Sequence, residues 1–141
     1  MLHAKIKTKT RKKTVQTMQQ ERAKFALEGV ESASKLLMPE QKKEYRSHVA
    51  GLPFMIHANG LGQTAAFFRS KGTEKADYQL LYQLLSDWLK KEGQPFHGQN
   101  GLLEGITNSD MHTYLAAQAE AMVFMNWVRK FADAFMQEEK P

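Results

Sequence analysis

HANGLGQTAAFF, residues 57–68, holds Gly60-Leu61-Gly62-Gln63-Thr64-Ala65, a G-x-G-x-x-A run. In a dinucleotide-binding fold that run makes the tight turn that brings backbone N–H groups against a pyrophosphate. It then needs a strand before it, a helix after it and an acidic residue about twenty positions on. Residues 52–59, LPFMIHAN, pass as a strand taken alone. What surrounds them does not supply a second strand–helix unit, because helix follows helix on both sides.

Downstream, DYQLLYQLLSDWLKKEG reads as a helix with Asp77 as its cap. Tyr78, Leu81, Leu85 and Trp88 step by 3 and 4 along one face, and Lys90, Lys91 and Gly93 close it. Residues 93–101 hold three glycines and Pro95 and read as a loop. Leu102–Ile106 reads as a short helical turn. A last helix is expected from about Ser109 to Gln137, with Tyr114, Ala117, Ala121, Phe124, Val128, Phe131 and Phe135 as an unbroken stripe. At 1.5 Å per residue it would be roughly 43 Å long and cross the whole body.

Upstream, residues 14–38 read as a helix with Ala26, Val30, Ala33 and Leu37 on one stripe, stopped at Pro39. PEQKKEYRSHVA, residues 39–50, reads as a second helix with proline at its start. Residues 52–72 follow as a third, ending in Lys71-Gly72. The expected fold class is therefore all-α: a single-domain bundle of five to six helices with a long C-terminal helix. In such a chain the paired glycines are a packing device. Gly60 and Gly62 lie about 200° apart around a straight helix, so they cannot both face one neighbour. A kink, or contact on two sides, would explain them.

The 141 residues include no cysteine, which removes disulfides, thiolate zinc sites and a cysteine nucleophile. The histidines, His3, His48, His57, His97 and His112, fall in no metal-ligand spacing, and His57 is expected at the edge of the core. Asp87 and Asp110 read as a helix-surface and a helix-start acid. No G-x-S-x-G run and no P-loop occurs, so no catalytic residue, metal or cofactor is expected. The basic N-terminus leads into no apolar segment of a secretory signal, and no stretch reaches eighteen apolar residues. The expected location is cytoplasmic, with no membrane contact.

The net charge of +5 is localised. Residues 1–13 hold six basic residues, among them Arg11, Lys12 and Lys13, and no acid. Without them 14 basic residues remain against 15 acidic ones. The chain thus divides into a basic arm, 1–13, and a near-neutral helical domain, 14–141. The arm is a plausible polyanion contact, and the cation groups Arg22/Lys24, Lys42/Lys43 with Arg46, Arg69/Lys71, Lys90/Lys91 and Arg129/Lys130 could together form a groove for phosphates. Of these, Arg69, Lys71, Arg129 and Lys130 are the candidates for phosphate contacts with RNA. Read as solvated faces or helix-end cations, they leave a protein-interaction module that does not touch RNA.

Four stretches carry a family resemblance: QERAKFALEGVE (20–31), LPFMIHANGLGQTAAFFRSKG (52–72), YQLLYQLLSDWL (78–89) and YLAAQAEAMVFMNWVRKFADA (114–134). Together they resemble the small subunit of the type III-B CRISPR effector, the Cmr complex. The signature falls on Gly60, Leu61, Gly62, Gln63, Ala66, Phe67, Ser70, Lys71 and Gly72, with Arg129, Phe131 and Ala132 as its C-terminal counterpart. The resemblance implies an all-helical, non-catalytic subunit. Copies of it would stack in a filament beside the backbone subunits of an RNA-guided complex, bridge them to the large subunit and line the channel for the target strand, which pairs with CRISPR RNA. Because the helical domain is near neutral, any RNA contact must come from a local basic stripe or from the arm.

Overall fold

The computed structural model describes residues 15–137. The expected basic arm, with Arg11, Lys12 and Lys13, lies outside the described residues. Five helices and no strand occur among the described residues: α1 (Met18–Leu36), α2 (Pro39–Lys71), α3 (Ala76–Leu89), α4 (Leu102–Asn108) and α5 (Met111–Phe135).

α1 begins at Met18, later than the expected start at residue 14, because Thr17 and Gln20 form a reciprocal cap. The Gln20 amide donates to the Thr17 hydroxyl at 3.1 Å, and the Thr17 amide donates to the Gln20 side chain at 2.9 Å. The expected stripe Ala26, Val30, Ala33 and Leu37 is buried throughout.

Residues 39–50 and 52–59 are one helix, not two. Pro53 sits inside it, where Tyr45, Val49, Leu52 and Ile56 step by 4, 3 and 4 into the core. Burial of that stripe outweighs the hydrogen bond the proline cannot make. The interruption comes seven residues later, at Gly60, whose φ of 86° and ψ of 158° are not helical. A straight rod would hold His48 and Phe68 roughly 30 Å apart. Instead their rings lie 4.2 and 4.9 Å from the ring of Tyr78. The second limb of α2, residues 61–71, therefore doubles back along the first.

α3 buries Tyr78, Leu81, Leu85 and Trp88 as its spacing predicts. Asp77 does not cap it. Lys75 holds the cap position, and Asp77 lies in the first turn, buried, with its carboxylate on His48 Nδ1 of α2. The turns after α3 carry Phe96 back into the core at 1% exposure. A Cβ on Gly105 of α4 would come within 2.4 Å of that ring, so the glycine makes room for it.

α5 is the longest uninterrupted helix, at 25 residues, and packs on α1, α2 and α3. Asp110 caps it by accepting the Thr113 amide at 2.8 Å. Of the expected stripe, Ala117, Ala121, Phe124 and Val128 are buried, Tyr114 and Phe131 are half-buried, and Phe135 is 51% exposed. A 3.5-residue repeat drifts around a straight helix by about 20° per heptad. The buried edge accordingly passes to Ala132 and Met136.

Candidate nucleic-acid interface

The question raised by Gly60 and Gly62 is where the backbone N–H groups of the restarted helix point. Leu61 N–H donates to Gln118 Oε1 and Gly62 N–H donates to Tyr114 Oη, each at 2.9 Å. Both acceptors belong to α5, one turn apart. The first turn of a helix leaves its N–H groups without intrahelical partners, and here α5 supplies acceptors for two of them. Those amides are unavailable to a phosphate, so the fingerprint is not a nucleotide cradle.

The break also corrects the 200° separation expected of a straight helix. A Cβ on Gly60 would stand 3.4 Å from Tyr114 Oη, and one on Gly62 would stand 3.4 Å from the same atom. Both glycines face one neighbour, because the non-helical residue resets the phase between them. Of the other motif residues, Leu61 is fully buried, Gln63 is exposed, and Phe67 is 41% exposed and edge-on to Tyr78.

A second polar junction lies on the other side of α5. Glu120 accepts from Arg22 Nε at 2.5 Å, from Arg22 Nη2 at 2.8 Å and from Trp88 Nε1 at 2.9 Å. The hydrogen bond to Glu120 holds the Arg22 guanidinium pKa above its usual value, with burial opposing it. Trp88 stacks on Phe124 with centroids 5.2 Å apart and an interplanar angle of 9°. Arg22 is therefore an internal fastener, not a surface cation.

The candidate phosphate contacts separate into different settings. Arg69 and Lys71 lie at the C-terminal end of α2. Lys71 Nζ lies 5.7 Å from the centre of the Phe67 ring. Arg69 is exposed and makes no hydrogen bond or ion pair among the described residues. Arg129 is half-buried, with Nη2 3.5 Å from Asn126 Oδ1, and Lys130 beside it is exposed. No hydrogen bond, ion pair or ring contact among the described residues joins the two pairs. His57 is exposed, not at the core edge. No cluster of three or more His, Asp or Glu side chains able to hold a metal occurs among the described residues. No helix among them is long and apolar enough to cross a membrane.

Tyr114, Gln118 and His48 gave no signal in the sequence as partners. Their counterparts lie 52, 57 and 29 positions away. The nearest hint was Gln118, a polar residue one turn after Tyr114 on the last helix.

Residues 18–135 match the family of CRISPR-associated proteins described as Cas_Cmr5. The chain is 28% identical over 129 residues to "CRISPR system Cmr subunit Cmr5" of Thermotoga maritima, covering 89% of this chain and 90% of that protein. It is 29% identical over 126 residues to the protein of the same name from Thermus thermophilus, covering 88% of this chain and all of that protein. With a match that runs from the first turn of α1 to the last turn of α5, the chain belongs to the Cas_Cmr5 family of CRISPR-associated proteins.

Proposed function

We propose that the chain is a non-catalytic small subunit of a type III-B CRISPR effector, the Cmr complex. In this reading copies of it stack as a filament beside the backbone and large subunits, in the cytoplasm, and contact CRISPR RNA or target RNA through phosphates. The observation that carries the reading is the family match over 118 consecutive positions, residues 18–135. The relatives are themselves named as Cmr subunits, and the chain covers 90% and 100% of their lengths. The surface fits a piece of an assembly. Between Arg46 and Arg69 the chain holds no Lys, Arg, Asp or Glu. Phe54, Met111 and Leu115 are 72%, 68% and 50% exposed, a pattern suited to contact with other protein chains.

RNA contact would fall to the basic arm, residues 1–13, and to Arg69, Lys71, Arg129 and Lys130, with the helical domain 14–141 as the scaffold. A second reading, a protein-interaction module without RNA contact, is favoured by one observation: residues 15–137 hold 13 basic and 13 acidic side chains. Co-purification of the tagged chain with the effector subunits and their RNA tests the first claim, and failure to join the complex would end it. Deleting residues 1–13 separates the two readings. RNA contact predicts weaker, less salt-sensitive target binding after the deletion; the interaction module predicts no salt-sensitive RNA binding by the chain with or without the arm.

A further inference from the structure

Four arginines lie among the described residues, and three are engaged: Arg22 by Glu120, Arg46 by Asp133 at 3.6 Å, and Arg129 by Asn126. Arg69 makes no hydrogen bond or ion pair among the described residues. It borders a cleft of about 300 Å³ between the end of α2 and the start of α3, within the size range of small-ligand sites. The other side chains on that cleft are neutral: Phe68, Thr73, Gln79, Tyr82 and Gln83. The cleft exists because Gly72 lets the two helices meet; a Cβ there would stand 3.1 Å from Gln79 Cα.

Its chemistry differs from that of the larger open clefts. The cleft beside Phe25 and Trp88 sets Glu21 and Glu28 against Lys24 and Lys91, and the cleft beside Phe135 sets Glu40 against Lys42 and Lys43. Around Arg69 the lining carries one cation and no acid. Two carboxylates outside the lining interact with its residues. Asp87 is held by Gln83 Nε2 at 2.8 Å. Burial raises the Tyr82 phenol pKa, a hydrogen bond with the Leu103 backbone opposes it, and Glu104 and Arg69 act more weakly in opposite directions. Thr73 already donates its hydroxyl to Ser70 O at 3.0 Å, so toward a ligand it accepts. Gln79 keeps both ends of its amide.

We propose that this cleft holds one nucleotide of single-stranded RNA, with the phosphate on the Arg69 guanidinium and the base against Tyr82, its edge met by Gln79. A guanidinium with all its donors free suits phosphate oxygens, an aromatic face accepts any base, and a carboxamide can both donate to and accept from a base edge. The inference rests on the RNA-contact reading above and gives one of its contacts, Arg69, a defined site.

The test uses the full chain, alone and in its assembled complex, with a uridine oligonucleotide carrying 4-thiouridine. Binding is measured across a salt series, and the photo-crosslinked peptide is mapped. Arg69→Ala should lower affinity about tenfold and flatten the slope of log K against log salt by about 0.7. Gln79→Leu should lower affinity by a smaller factor, and the crosslink should fall within residues 76–89. If the wild-type chain binds RNA but both variants bind equally well and the crosslink maps elsewhere, the cleft is overturned while the RNA reading stands. If no salt-sensitive binding appears even in the assembled complex, both fall. If Arg69→Ala instead blocks assembly and leaves RNA affinity unchanged, the cleft is a protein contact and the inference is overturned.

Discussion

α5 is held on two sides by polar contacts of opposite character. Toward α1 and α3, the Glu120 carboxylate takes hydrogen bonds from a guanidinium and an indole. Toward the break in α2, a neutral amide and a phenol take two backbone N–H groups. The first junction is a charge with its partners, embedded among stacked aromatic rings. The second is a backbone conformation open to glycine, with its loose ends tied. Changing side-chain chemistry should therefore hurt the first junction most, and changing the backbone freedom of residue 60 should hurt the second.

The largest effect should come from Trp88→Ala. It removes a ring packed on Phe124 and Phe25 together with a hydrogen bond to Glu120, and should cost about 3–5 kcal/mol in chemical denaturation. A loss below about 1 kcal/mol would show that the Glu120 junction does not hold α3 to α5.

Next in size, Gly60→Ala should cost about 1–3 kcal/mol. There is room for the methyl, 3.4 Å from Tyr114 Oη; the cost lies in the positive φ. Gly62→Ala meets similar contacts, 3.4 Å from Ile106 Cγ2 and from Tyr114 Oη, but needs no unusual backbone angle. It also gains up to about 1 kcal/mol of helix propensity, so it should cost clearly less. Equal losses for the two variants would refute the claim that conformation, not space, selects Gly60.

Gln118→Leu leaves the Leu61 N–H without its acceptor and should cost about 1–2 kcal/mol. Tyr45→Phe probes the opposite case. The Tyr45 hydroxyl is buried without a partner, and burial drives its pKa well above the usual phenol value. Removing that oxygen should leave stability unchanged or raise it by up to about 1 kcal/mol. A clear loss would reveal a hidden partner for the phenol.

The smallest effect is electrostatic. Asp110 accepts the Thr113 amide at the head of α5, which holds its carboxyl below the usual carboxylate range. A pKa depressed by folding contributes stability that is present above the unfolded value, about 3.9, and is lost as pH falls through the folded value. Asp110→Asn should therefore lower the melting temperature slightly at pH 7, and the difference should vanish under strong acid. A difference that persists unchanged under strong acid would exclude the charge as its cause.

The helices were legible where one apolar stripe faced one core. Ala26, Val30, Ala33 and Leu37, and Tyr78, Leu81, Leu85 and Trp88, needed only period and burial. Two expectations failed for one shared reason: local chemistry was outweighed by a distant partner. Asp77 resembles a cap, but His48 lies within its reach only after α2 has folded beside α3. A helix boundary was expected between residues 50 and 52, but the stripe through Tyr45, Val49, Leu52 and Ile56 carries one helix across it and past Pro53. The glycine pair was legible as a break in packing, but not as a reversal, since the direction of the second limb is set by Tyr114 and Gln118. The cation pairs were visible as charges. That Arg69 alone among the described arginines lacks a partner depends on which acids the other three reach.

The most direct test of the account is to reconstitute the effector complex with and without this chain and measure target-RNA affinity across a salt series. An RNA-contacting subunit predicts that omitting the chain weakens RNA binding and makes it less sensitive to salt. Unchanged affinity and salt dependence on omission would contradict it.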